Sequence, residues 1–207
     1  MPSPPDHADE KRFVSRGGLK LDHALTVFGV NVDGARCVDL GCSTGGFTDC
    51  LLRRGAAGVV AIDTAYGIID YKLRIDDRVT LYERTNALHA EPRSRAELSD
   101  LVVIDLGWTP QARAIPAALR WLKDDPGARI ITLIKPHYEK SARDRSGPVH
   151  GGVLGHEEAE AITKETLEAL ATLGVVTLGC EQSPIVGGKS GKKGKGNAEW
   201  LALVRRA

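Results

Sequence analysis

The stretch DLGCSTGGFTD (residues 39–49) decides how the rest of the chain is read. The short apolar run RCVDLG leads into it as a strand. The helix GFTDCLLRRG leads out of it and stops at Gly55. Gly41, Ser43 and Gly46 occupy the positions of a G-x-G-x-x-G fingerprint, with Thr44 and Gly45 between them. In a dinucleotide-binding fold the second glycine lets backbone approach a pyrophosphate, and the helix N-terminus faces its negative charge. A serine at that position points to a ligand with no pyrophosphate to crowd against.

Outward from this loop the chain alternates. LKLDHALTVFGV places Leu19, Leu21, Leu25 and Phe28 roughly on one helical face ahead of it. After it come GVVAID, VTLYE, SDLVVIDLG and ARIITLIKP as buried strands, with YGIIDYKLRIDD and PQARAIPAALRWLKDD as helices. The stretch HYEKSARDRSGPVHGGVLG reads as a loop, and HEEAEAITKETLEALATLG as a strong helix. GVVTLGCEQSP and AEWLALVRR close the chain as strands. The fold class expected is therefore α/β: a Rossmann-like, mostly parallel seven-stranded sheet with helices on both faces. No helix separates the final two strands, so the last one returns antiparallel. Residues 1–12, rich in proline and charge, read as a disordered tail, and 13–207 as one domain.

Composition narrows the function classes. The 207 residues are 42% hydrophobic and 27% charged, which suits a globular domain with a real core. With a net charge of only +1, an anionic partner has to be met by a local basic patch. No apolar run approaches the roughly 20 residues that span a bilayer, and the N-terminus lacks a signal peptide's apolar region. The expectation is a cytoplasmic protein with no membrane partner. Cys37, Cys42, Cys50 and Cys180 show no Cys-x-x-Cys or zinc spacing and read as reduced. His150, His156 and Glu157 do not make a full ligand set, so no metal is expected.

Ligands of such a sheet bind beyond the carboxyl ends of the strands, near the switch in strand order. Four features meet there: the glycine loop, Asp63 after the second strand, Asn86 after the third and Asp105 after the fourth. An acid some twenty residues past the loop suits ribose hydroxyls. An asparagine amide can serve a purine edge with both donor and acceptor. A mononucleoside ligand such as S-adenosylmethionine suits this set better than NAD, since no separate substrate domain follows.

The segments VSRGGLKL (14–21), DLGCSTGGFT (39–48), AIDTAYG (61–67), ERTNAL (83–88), VVIDL (102–106), LIKPHYE (133–139), GGVL (151–154) and GNAEWL (196–201) occur in order. Together they resemble the TlyA-like branch of the FtsJ family, ribosomal RNA 2′-O-methyltransferases that use S-adenosylmethionine. The resemblance implies a catalytic Lys-Asp-Lys-Glu tetrad at Lys20, Asp105, Lys135 and Glu199. It also implies a cofactor loop over Gly41, Ser43, Thr44, Gly45, Gly46 and Phe47, a ribose-binding acid at Asp63 and an adenine-side residue at Asn86, with Asp105 close to the cofactor. Lys135 is the expected general base for the 2′-hydroxyl, provided neighbouring cations and burial lower its pKa. The two carboxylates oppose that shift, which leaves its resting protonation open.

The expected partner is RNA, ribosomal RNA or a ribosomal subunit. Lys189, Lys192, Lys193 and Lys195 lie just before Glu199 and offer phosphate contacts, with Arg16 and the KSARDR run (140–145) extending the basic surface. Trp108 is placed to stack on a target base. Members of the branch usually begin with an S4-type RNA-binding domain, whereas here a short tail precedes Phe13, so an accessory RNA-binding partner is a further expectation. The GWTP run after Asp105 also departs from the family pattern and alters a wall of the acceptor pocket. Two alternatives stand beside the leading reading: a methyltransferase of this fold acting on a nucleobase or small molecule, and a non-catalytic cofactor- or RNA-binding module.

Overall fold

A computed structural model describes residues 12–144, 153–187 and 196–207. In chain order, helix α1 (Gly17–Val27) precedes strand β1 (Arg36–Leu40), α2 (Gly46–Arg53), β2 (Gly58–Ile62), α3 (Tyr71–Arg74) and β3 (Val79–Tyr82). There follow β4 (Leu101–Ile104), α4 (Gln111–Trp121), β5 (Arg129–Ile134), α5 (Pro136–Asp144), α6 (His156–Leu170), β6 (Val175–Gln182) and β7 (Trp200–Arg206).

The seven strands form one sheet in the order β3-β2-β1-β4-β5-β7-β6. Neighbours from β3 to β5 are parallel, and β7 runs antiparallel between β5 and β6. The expected fold class holds, including the antiparallel last strand. Parallel strands covered on both faces read as nearly continuous apolar runs, which is why RIITLI was legible as a strand. On one face Leu21, Leu25, Phe47 and Leu51 pack with Val103 and Ile131. On the other, Val38, Leu40 and Ile104 pack with Ile115 and Trp121. Fully burying each such side chain contributes about 1.5–3 kcal/mol before ordering costs.

Two segments differ from the sequence expectation. Of the helix expected over YGIIDYKLRIDD, only Tyr71–Arg74 forms, because Asp70 accepts a hydrogen bond from Lys72 N at 3.0 Å and starts the helix there. The stretch after Lys135, expected as a loop, begins with helix α5. Its buried residues are Pro136, Glu139 and Ser141, so its inward face carries no apolar periodicity to detect. Of the expected tail, residues 1–11 fall outside the described residues. Arg12 is described and donates to Asp22 Oδ2 at 2.9 Å.

The strand order places the site. It reverses at β1 and β4, whose last residues Leu40 and Ile104 are register partners. Asp105 N donates to Leu40 O at 3.0 Å, so the glycine loop and Asp105 leave the sheet side by side. Because β7 is antiparallel, its first residue Trp200 pairs with Ile134, the last residue of β5. That register brings Glu199 and Lys135 to the same edge.

Candidate functional site

The glycine loop is shaped by backbone geometry. Gly41 has φ 91°, and a Cβ there would lie 2.6 Å from the Asp105 carbonyl oxygen. Gly46 meets the start of α1, where a Cβ would lie 2.8 Å from Gly18 N and collide with Ser15 Oγ. Glycine is therefore required by close approach at both positions. Ser43 itself sits at φ 49°, in the left-handed region. It is held there by Asp63, whose Oδ2 accepts from Ser43 N and whose Oδ1 accepts from Ala65 N, both at 2.8 Å.

Helix α1 docks on α2 through the segment before it. Asp49 Oδ2 accepts from Val14 N at 2.9 Å, and Phe13 is buried. This carries Lys20 inward, where only 8% of the residue is exposed. Lys20 Nζ donates to Glu199 Oε2 at 2.5 Å. Gly187 leaves room for that carboxylate, since a Cβ on it would run into Glu199 Oε1.

Beside this pair lies a second one. Lys135 Nζ donates to Asp105 Oδ1 at 2.5 Å and to Leu106 O at 3.2 Å. Burial raises the Asp105 carboxyl, but the charges of Lys135 and Lys20 and the Lys135 hydrogen bond outweigh it and hold Asp105 below the usual carboxylate range. Burial pulls the Lys135 ammonium down. The charges of Asp105 and Glu199 and the Asp105 hydrogen bond prevail and hold it above the ordinary lysine value. These carboxylates therefore favour the protonated Lys135 ammonium, against the pull of burial. Neighbouring His137 is pushed down to about 4 by burial and by the Lys135 charge.

A cavity of about 220 Å³ opens between these elements. The loop residues Gly41, Ser43, Thr44, Gly46 and Phe47 line one side, and Arg16, Lys20 and Asp105 line the other. Cys42, Ser15, Gly17, Ile185 and Val186 complete it; Ser15 and Gly17 belong to the VSRGGLKL motif, whereas Ile185 and Val186 did not stand out in the sequence because neither carries a distinctive chemical group. Gly45 caps α2 without lining the cavity. Lys135 and Glu199 reach it through their partners. Asp63 lies behind the loop. Asn86 is exposed, and its Oδ1 accepts from Leu88 N at 3.0 Å, which leaves its amide N–H donors and one oxygen lone pair for a ligand. Lys189, Lys192, Lys193 and Lys195 lie outside the described residues, as does His150. His156 stacks on Trp200 with ring centroids 6.1 Å apart.

The family profile of FtsJ-like methyltransferases matches residues 13–191. The chain belongs to that family. A curated relative, the 16S/23S rRNA (cytidine-2′-O)-methyltransferase TlyA of Mycobacterium tuberculosis, is 39% identical over 198 residues, which is 95% of this chain and 69% of that protein. Hemolysin A of Brachyspira hyodysenteriae is 34% identical over 92% of this chain and 76% of its own length. Among solved structures, a Lactococcus lactis protein assigned as a hemolysin superposes with a TM-score of 0.80 at 31% identity, covering 94% of this chain and 88% of that one. Among the described residues no helix is long and apolar enough to cross a membrane.

Family and fold together make the chain a methyltransferase of the S-adenosylmethionine-dependent kind. Its residues suit that cofactor. Asp63 and Asp105 set carboxylates beside the glycine loop, which favour a ligand carrying positive charge. Asp39 is fully buried, with Oδ2 accepting from Thr48 Oγ1 at 2.7 Å and Oδ1 without a partner.

Proposed function

We propose that this chain methylates a ribose 2′-hydroxyl of RNA, with ribosomal RNA as the acceptor class. The observation that carries this reading is the pair of ion pairs, Lys20–Glu199 and Lys135–Asp105, set at one sheet edge beside the glycine-loop cavity. The rRNA (cytidine-2′-O)-methyltransferase activity of the Mycobacterium tuberculosis relative, at 39% identity, supports the choice of acceptor.

In this reading Gly41–Phe47 and Asp105 hold the methionine side of S-adenosylmethionine. Asp63 takes the ribose: its two oxygens offer about four acceptor sites, of which the loop amides use two. Asn86 turns its amide nitrogen to the adenine. The cofactor supplies a methyl group on a positively charged sulfonium, and in-line transfer from it depends mainly on positioning.

The tetrad provides that positioning and handles the proton. Lys20, fixed by Glu199, lines the cavity and orients the acceptor. Lys135, charged at rest, directs an N–H at the acceptor oxygen, and its minor neutral form takes the hydroxyl proton. Arg16 and the lysines at 189, 192, 193 and 195 contact phosphates. Trp108, 62% exposed three residues after Asp105, offers its ring to the target base.

The test is transfer of labelled methyl from S-adenosylmethionine to ribosomal subunits that lack the modification, followed by nucleoside analysis. Label on a ribose 2′-oxygen is the expected result. Label on a base would overturn the acceptor assignment.

A further inference from the structure

Helix α4 begins without a cap of its own. Its N-cap residue is Pro110, which makes no side-chain hydrogen bond to the first turn, although free N–H groups there ordinarily need a partner. The partner comes from another helix. Glu139 Oε1 on α5 accepts from Gln111 N at 2.8 Å, placing a carboxylate where the helix dipole favours negative charge. The Gln111 side chain then ties α4 to the sheet. Its Nε2 donates to Leu133 O at 3.2 Å, and its Oε1 accepts from Thr132 Oγ1 at 2.7 Å. All three side chains are buried, with exposures of 3% for Gln111, 0% for Thr132 and 6% for Glu139.

This network spans the two arms of the proposed site. Residues 106–110 connect Asp105 to Gln111, and Glu139 is one helical turn beyond Lys135, whose carbonyl accepts from Glu139 N at 3.2 Å. The connecting loop carries Trp108 at φ 58°, a left-handed conformation that a non-glycine residue keeps only when its surroundings impose it. Tyr138, beside Glu139, packs against the Trp108 ring with centroids 4.7 Å apart.

We propose that Glu139, Gln111 and Thr132 form a buried clamp that fixes the Asp105–Trp108 loop against Lys135. They are positioning residues for RNA methyl transfer. The inference rests on the ribose-methylation reading for its kinetic consequence only. The clamp itself has an independent readout, because Trp108 is 62% exposed while Trp121 and Trp200 are 0% and 7% exposed. Acrylamide quenching of the intact chain therefore reports mainly on Trp108.

Glu139→Ala orphans the Gln111 N–H. It is expected to lower kcat on RNA by about tenfold to a hundredfold, the scale of a small misplacement at the reacting groups. The KM for S-adenosylmethionine should stay within about twofold, and Trp108 quenching should change. Glu139→Gln retains an acceptor for Gln111 N and should restore kcat to within about threefold, with wild-type quenching. Should Glu139→Ala fail to fold, Thr132→Val removes one bond of the same network and should give a smaller loss of kcat with the same quenching change. Wild-type kcat together with wild-type quenching in the variant that folds would overturn the clamp. So would Glu139→Gln behaving like Glu139→Ala. If the wild-type protein labels no ribose, the function reading fails, and the quenching comparison still decides the clamp.

Discussion

Lys20 Nζ and Glu199 Oε2 stand 2.5 Å apart, although 179 residues separate them in the chain. Their side chains are 10% and 4% exposed, so each charge depends on the other for compensation. Removing one partner of such a pair leaves an uncompensated buried charge. Glu199→Ala is expected to cost about 3 kcal/mol in urea denaturation and to suppress methyl transfer. Glu199→Gln, which keeps an acceptor for Lys20, should cost less stability and still impair transfer.

Lys135 is held above the ordinary lysine value once the carboxylate charges overcome burial. Its proton is therefore retained across the neutral range, and the neutral fraction grows about tenfold per pH unit. If that neutral form takes the 2′-hydroxyl proton, log kcat rises with a slope near one from about pH 7 to about pH 9. A plateau within that range would exclude Lys135 as the base. Lys135→Ala should abolish transfer and leave cofactor binding, measured by calorimetry, largely intact.

Burial pushes the Asp39 carboxyl up to about 7, opposed by the Thr48 hydrogen bond and reinforced by the charges of Asp105 and Asp63. A folded-state value above the unfolded one means that folding takes up a proton. The associated stability is full below about pH 4 and is lost as pH rises through about 7. Over that window the loss is of order 4 kcal/mol, at about 1.4 kcal/mol for each pH unit. Asp39→Asn cannot ionise. Its stability relative to wild type should rise between pH 4 and pH 8, whatever its offset at pH 4. A difference that stays flat in denaturant titrations across this range would refute the burial argument.

Gly41 couples the cofactor loop to the tetrad, because a Cβ there would meet the Asp105 carbonyl oxygen at 2.6 Å and the residue needs φ 91°. Gly41→Ala is expected to destabilise the fold by about 1–3 kcal/mol and to weaken S-adenosylmethionine binding. Denaturation and calorimetry on the same preparation check both effects.

The lysines at 189, 192, 193 and 195 are tested through salt. If they contact single-stranded phosphates, each lysine-to-alanine change lowers the slope of log affinity against log salt by about 0.7. An unchanged slope for Lys192→Ala and Lys193→Ala would remove this lysine-rich segment from the RNA interface.

The sequence by itself determined the strand–loop–helix around Gly41–Phe47, the alternating α/β order and the antiparallel closing strand. Each of these is written in local apolar periodicity and turn chemistry. The motifs also supplied the candidate identities of Lys20, Asp105, Lys135 and Glu199. Tertiary structure alone decided how these side chains pair, because that depends on β7 entering between β5 and β6 and on α1 docking against α2. It also set the carboxylates that favour the Lys135 ammonium against burial, drew the Asn86 oxygen into a bond within its own turn and formed the Glu139–Gln111 bond. Helix α5 escaped the sequence reading for the same reason that it matters. Its inward face is polar, and a polar residue is recognised as buried only when its hydrogen-bond partner, here a distant helix terminus, has been brought to it by the fold.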